Sequence, residues 1–89
     1  MRKETKLTSE EVYNEVHNQL TSLIRKRMEE LKWNKHKLSR EAGVSTTTIT
    51  RLFRGNNVSL ELIAKVASVL GCKITINFEC IKEDTKLQK

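Results

Sequence analysis

The sequence predicts a small, mainly α domain, a bundle of four to five helices followed by one C-terminal β-strand. Three observations carry this prediction. Apolar residues recur every three or four positions between Tyr13 and Leu70. Helix caps and stops divide that stretch: Thr8, Asn34, Ser45 and Ser59 at the starts, Gly43, Gly55 and Gly71 at the ends. From Cys72 to Cys80 the period changes to two, and Cys72, Ile74, Ile76, Phe78 and Cys80 form one face.

The first helix is expected to start at Thr8 or Ser9, where Thr8-Ser9-Glu10-Glu11 has capping-box spacing and acids at the positive end of the helix dipole. Tyr13, Val16, Leu20, Ile24, Met28 and Leu31 then form one apolar stripe. The sequence leaves open whether this helix runs through to Leu31 or breaks near Asn18. Asn34 caps a short second helix that ends at Ala42, before Gly43. Ser45 caps a third through Arg54, with Ile49, Leu52 and Phe53 on its apolar side. Ser59 caps a fourth, in which Leu62, Ile63, Val66, Ala67 and Leu70 face the core. Val58 and Ile63 sit at staple spacing around that cap. The chain thus divides into a helical extension (1–22), a central domain (23–71), a strand (72–81) and a polar, frayed tail (82–89).

A chain of 89 residues makes one domain with a thin core, so a dimer interface would add materially to its stability. No apolar run approaches a membrane span, and the charged N-terminus has no apolar stretch behind it, so neither a membrane partner nor a signal peptide is expected. Cys72 and Cys80 are not a CxxC pair. On one strand they would sit about 26 Å apart, too far to bridge within a chain. They are expected to be buried thiols of a cytosolic protein, able to face each other only across a two-fold strand pair.

The net charge is +6. Residues 25–54 hold nine Lys and Arg against three acids, and the rest of the chain sums to zero. A charge concentrated in one third of the chain points to a polyanionic partner. The second and third helices, joined by a tight glycine turn, form a helix-turn-helix unit locked by Leu38, Ala42, Val44, Ile49 and Leu52. The third helix opens with Thr46-Thr47-Thr48, followed by Thr50 and Arg51. Threonines are poor helix formers, but their hydroxyls can bond phosphates or base edges and their methyls can pack on thymine.

Leu38, Ala42-Gly43-Val44-Ser45, Thr48-Ile49, Arg51-Leu52, Arg54-Gly55, Leu62, Ile63 and Ala67 carry a resemblance. Over residues 23–71 the chain resembles the Cro/C1-type (XRE) helix-turn-helix family, which includes the lambda-repressor-like domains. The resemblance implies that the segment opening at Thr46 is a recognition helix docked in the major groove of double-stranded DNA. Thr46, Thr47 and Arg51 would then reach bases. Thr48, Thr50 and Arg54 would lean toward phosphate, and Asn56 and Asn57 would touch the backbone. Two positions depart from the family pattern. Lys35 stands where a glutamine is usual and would contact phosphate. Lys32 stands where glycine is common, at an expected strain on the order of 1 kcal/mol if its backbone is left-handed. Trp33 is expected to plug the core.

The strand has no second strand in the sequence to pair with, so it must borrow an edge. A second copy is the simplest donor, giving a homodimer with a two-stranded ribbon in which Ile74, Ile76 and Phe78 cover both cores. A Cro-type domain followed by such a strand resembles antitoxins of toxin–antitoxin modules, of the HigA and HipB kinds. The segment TSEEVYNEVHNQLTSLIRKRMEEL also resembles the HigA-like antitoxins. This implies autoregulation of an operon and a protein toxin of RelE type as partner, with Val12, Tyr13 and Val16 as contacts or as further core. The alternatives are a phage repressor or Cro-type regulator without a toxin, and a protein-interaction module on the same scaffold. An enzyme is not expected. His17 and His36 are far apart, and the sequence shows no metal spacing, phosphate-cradling loop or nucleophile elbow. No catalytic residue, cofactor, metal or small-molecule substrate is expected, and the setting would be the cytoplasm of a bacterium.

Overall fold

The structure, a computed structural model, describes residues 7–56 and 58–80. The expected contact of Asn57 and the polar tail at 82–89 lie outside the described residues. The chain forms four helices: α1 (Ser9–Leu31), α2 (Lys35–Ala42), α3 (Thr46–Arg54) and α4 (Leu60–Val69). α1 runs unbroken past Asn18.

Each start is built as its cap residue dictates. The Thr8 hydroxyl accepts from the Glu11 backbone N–H at 3.1 Å, and the Glu11 carboxylate accepts from the Thr8 N–H at 3.0 Å, completing the capping box. Asn34, Ser45 and Ser59 accept in the same way from the N–H groups of Lys37, Thr48 and Leu62. All four helices also end alike. A left-handed residue closes the last turn, its N–H and that of the next residue donating back to the final carbonyls. Glycine serves at 43, 55 and 71, whereas α1 ends on Lys32 with φ 60°. There Trp33 donates its N–H to the Met28 carbonyl at 2.8 Å. The chain thus accepts left-handed strain at a lysine to turn α1 into α2.

The core consists of Ile24 and Met28 of α1, Leu38 of α2, Ile49 and Leu52 of α3, and Val66 and Leu70 at the end of α4. Leu38, Ile49 and Val66 are 0% exposed. Each such side chain contributes about 1.5–3 kcal/mol on leaving water. Leu31, Trp33, Val44, Phe53, Val58, Leu62, Ile63 and Val69 pack around them half-buried, which is the plug position expected of Trp33. α2 lies at the centre, packed on both α3 and α4.

The structure decides one open alternative and corrects one expectation. Tyr13 and Val16 continue the stripe of α1 in sequence but remain 41% and 49% exposed. At 23 residues α1 is about 35 Å long, whereas the 8–10-residue helices beside it span about 12–15 Å, so its N-terminal half outruns the core. Thr21 is buried on the core face instead, its hydroxyl donating back to the His17 carbonyl at 3.0 Å. The correction concerns Cys72 and Cys80, which are exposed, not buried. Residues 72–80 are exposed throughout, and no strand forms among the described residues. Ile74, Ile76 and Phe78 stand 39%, 71% and 88% exposed. Alternation marks a face, but a single chain supplies no edge for it to pair with.

Candidate nucleic-acid interface

α3 buries Ile49 and Leu52 and half-buries Phe53, so the opposite side of this nine-residue helix must face outward. At 100° per residue that outward line is Thr47, Arg51 and Arg54, spaced four and three apart, and all three are exposed. Thr46 and Thr50 form an adjoining, half-buried line. Asn56 is exposed just beyond the helix. Basic residues in the last turn of α3 also suit the negative end of its dipole.

The remaining expected residues are tied to the scaffold. Thr48 shares a 2.9 Å hydrogen bond with the Ser45 hydroxyl while its own N–H donates to that oxygen, so it reinforces the helix start. The Lys35 ammonium donates to the Thr50 hydroxyl at 3.5 Å, a long bond that links the start of α2 to the middle of α3. Lys35 stays exposed, so its ammonium remains open to a phosphate as well.

The basic segment divides by use. The Arg25 guanidinium lies 4.6 Å from the Phe53 ring centre, and the Lys37 ammonium 5.6 Å from that of Trp33. Lys37 also pairs with Glu41 at 3.2 Å. Arg27 pairs with Glu30 at 3.0 Å and donates Nε–H to the Leu70 carbonyl at 2.9 Å. Arg40, Arg51 and Arg54 form no ion pair among the described residues, so their charge faces solvent on the helix-turn-helix unit.

Two residues that sequence reasoning did not assign to this unit support it from α1. The Tyr13 hydroxyl donates to the Gly55 carbonyl at 2.7 Å, and His17 Nε2 donates to the Leu52 carbonyl at 2.7 Å. Their rings stack with centres 6.0 Å apart and planes 9° from parallel. Side-chain donors reaching backbone carbonyls 42 and 35 positions away leave no periodic trace in a sequence. The only hint is an aromatic and a histidine at i, i+4 spacing on one helix face.

Among the described residues, no group of His, Cys, Asp and Glu could hold a metal ion, and no helix is long and apolar enough to cross a membrane. Two short helices joined by a three-residue turn, the second presenting threonine and arginine outward, define a DNA-binding helix-turn-helix domain. A family model described as helix-turn-helix matches residues 24–77, more than half the chain. The chain belongs to this family, of the Cro/C1-like XRE type, and is a DNA-binding transcriptional regulator. Neither the curated proteins nor the solved structures compared with it gave a match.

Proposed function

We propose that this protein is a dimeric repressor that inserts α3 into the major groove of an inverted-repeat operator and, as the antitoxin of a toxin–antitoxin module, represses its own operon in a bacterial cytoplasm. The observation that carries the reading is the outward line Thr47–Arg51–Arg54 on a helix whose other side is fixed in the core. Arg51 and Thr47 read base edges, with Thr46 beside them. Arg54, Lys35, Thr48, Thr50, Asn56 and Asn57 lie toward the sugar-phosphate backbone.

Dimerisation follows from the segment after α4. Its apolar face of Ile74, Ile76 and Phe78 is exposed, and its backbone has no ladder. Pairing with a second copy satisfies both needs at once. The two recognition helices then meet half-sites about 34 Å apart, or a multiple of that spacing. The antitoxin role rests on the same segment and on the exposed Val12 and Val16 of α1, which with the Tyr13 ring offer an apolar strip to a protein toxin.

The test is selection of duplexes from a random pool at two salt concentrations, alongside sedimentation of the wild type and Ile76→Lys. A shared inverted motif bound more weakly at higher salt, together with a monomeric variant, is the expected result. Selection that yields no common motif would refute the operator reading. A variant that stays dimeric would refute the strand-mediated interface.

A further inference from the structure

The recognition helix is short, and its C-terminal carbonyls lie in the turn that carries Arg51 and Arg54. Such carbonyls have no partner within the helix. Here two of the carbonyls at this end gain one from outside. The Tyr13 hydroxyl holds the Gly55 carbonyl, and His17 holds the Leu52 carbonyl, each at 2.7 Å. A carbonyl only accepts, so His17 carries its hydrogen on Nε2. The Leu52 carbonyl also accepts the Gly55 N–H at 3.2 Å, so the His17 bond adds to the helix stop without replacing it. The His17 ring occupies the space beside Gly55: a Cβ placed there would lie 3.2 Å from His17 Cε1 and 3.3 Å from Nε2. Tyr13 and His17 both precede the segment matched by the family model, which begins at residue 24. The contact is therefore supplied by the part of α1 that this chain adds ahead of its domain.

We infer that Tyr13 and His17 are positioning residues for DNA recognition, a clamp on the C-terminal end of α3 that sets where Arg51, Arg54 and Asn56 stand relative to Thr47. The inference rests on the DNA-reading role proposed for α3. Both act through the backbone carbonyls that they hold, and the salt dependence of binding tests whether either touches phosphate as well. Hydrogen bonds to bases weaken steeply with small displacements, whereas phosphate attraction tolerates them. Loosening the end of α3 therefore degrades discrimination between sequences more than it degrades binding to DNA in general.

The experiment uses the full chain as wild type, Tyr13→Phe, His17→Ala and His17→Gln. Each protein is titrated with the duplex selected by the wild type and with a scrambled duplex, at two salt concentrations. Tyr13→Phe and His17→Ala should each lower the ratio of the two affinities roughly 3- to 10-fold, the range one neutral hydrogen bond commands. The salt dependence should match the wild type, because no phosphate contact is lost. His17→Gln should restore most of the ratio, since its amide can donate to the Leu52 carbonyl. If Tyr13→Phe and His17→Ala both keep the wild-type ratio and only their melting temperatures fall, the residues serve stability alone and the inference fails. Should His17→Ala not fold, Tyr13→Phe, which removes one oxygen from a half-exposed ring, decides the matter. A wild type that prefers no duplex would overturn the recognition role of α3 itself, an outcome distinct from failure of the clamp.

Discussion

Replacing Gly55 by alanine should destabilise the domain more than the same change at Gly43, although both close a helix in the same left-handed conformation. Their φ angles are 83° and 73°, so the backbone strain on adding a Cβ is similar, about 1–2 kcal/mol at each. Their surroundings differ. A Cβ at Gly43 meets nothing within 4 Å, whereas one at Gly55 lies 3.2–3.4 Å from three atoms of the His17 ring. The ring must give way by a few tenths of an ångström, which strains its bond to the Leu52 carbonyl at a further cost of up to about 1.5 kcal/mol. The sum is about 1–3.5 kcal/mol for Gly55→Ala. For a domain of this size each kilocalorie lowers the melting temperature by about 4–8 °C. Thermal unfolding followed by circular dichroism, at one fixed protein concentration, should rank wild type above Gly43→Ala above Gly55→Ala. In a His17→Ala background the excess loss at Gly55 should vanish, because the obstructing ring and its bond are already gone. Equal losses at the two glycines, or an excess at Gly55 that survives removal of His17, would refute the account of this contact.

Two further outcomes are expected. Lys32→Gly should raise the melting temperature by about 2–5 °C, because relief of the left-handed strain outweighs the added freedom of the unfolded chain; an unchanged or lower value in a thermal melt would count against it. Thr47→Ala and Arg51→Ala should leave the melting temperature within about 2 °C of wild type and cost about 1–3 kcal/mol of discrimination at individual base positions, read by quantitative footprinting on operator variants; an unchanged footprint would remove them from the reading face.

The starts of all four helices and the ends of α2, α3 and α4 were legible because each is fixed by local chemistry, whereas the run of α1 past Asn18 was left open. A hydroxyl or amide at Thr8, Asn34, Ser45 or Ser59 bonds an N–H three residues on, and a left-handed residue follows each end, Gly71 one position after the cap in α4. The core residues Leu38, Ile49, Leu52 and Val66 were legible for the same reason, since helical period alone places them on one side. What failed depended on length and on partners. Periodicity put Tyr13 and Val16 on the apolar stripe but left open whether they join the core, because it carries no information on how far the neighbouring helices extend. The alternation from Cys72 to Cys80 was read as one apolar face, yet burial requires a second surface that the single chain does not provide. On α3, the sequence alone does not tell Thr47, Arg51 and Arg54 from their neighbours, because the bond of Thr48 to the Ser45 hydroxyl and that of Thr50 to Lys35 depend on side-chain geometry. The support from Tyr13 and His17 was out of reach, because it joins points far apart in the chain through backbone acceptors common to every residue type.

The accessible thiols of Cys72 and Cys80 bear on how self-association is to be measured. In air, chains that touch even briefly near these sulfurs could be welded by a covalent bridge, and such a product would sediment as a pair whether or not the ribbon exists. Molecular weights should therefore be taken with fresh reductant present, and a species that disappears on adding it is an artefact of storage.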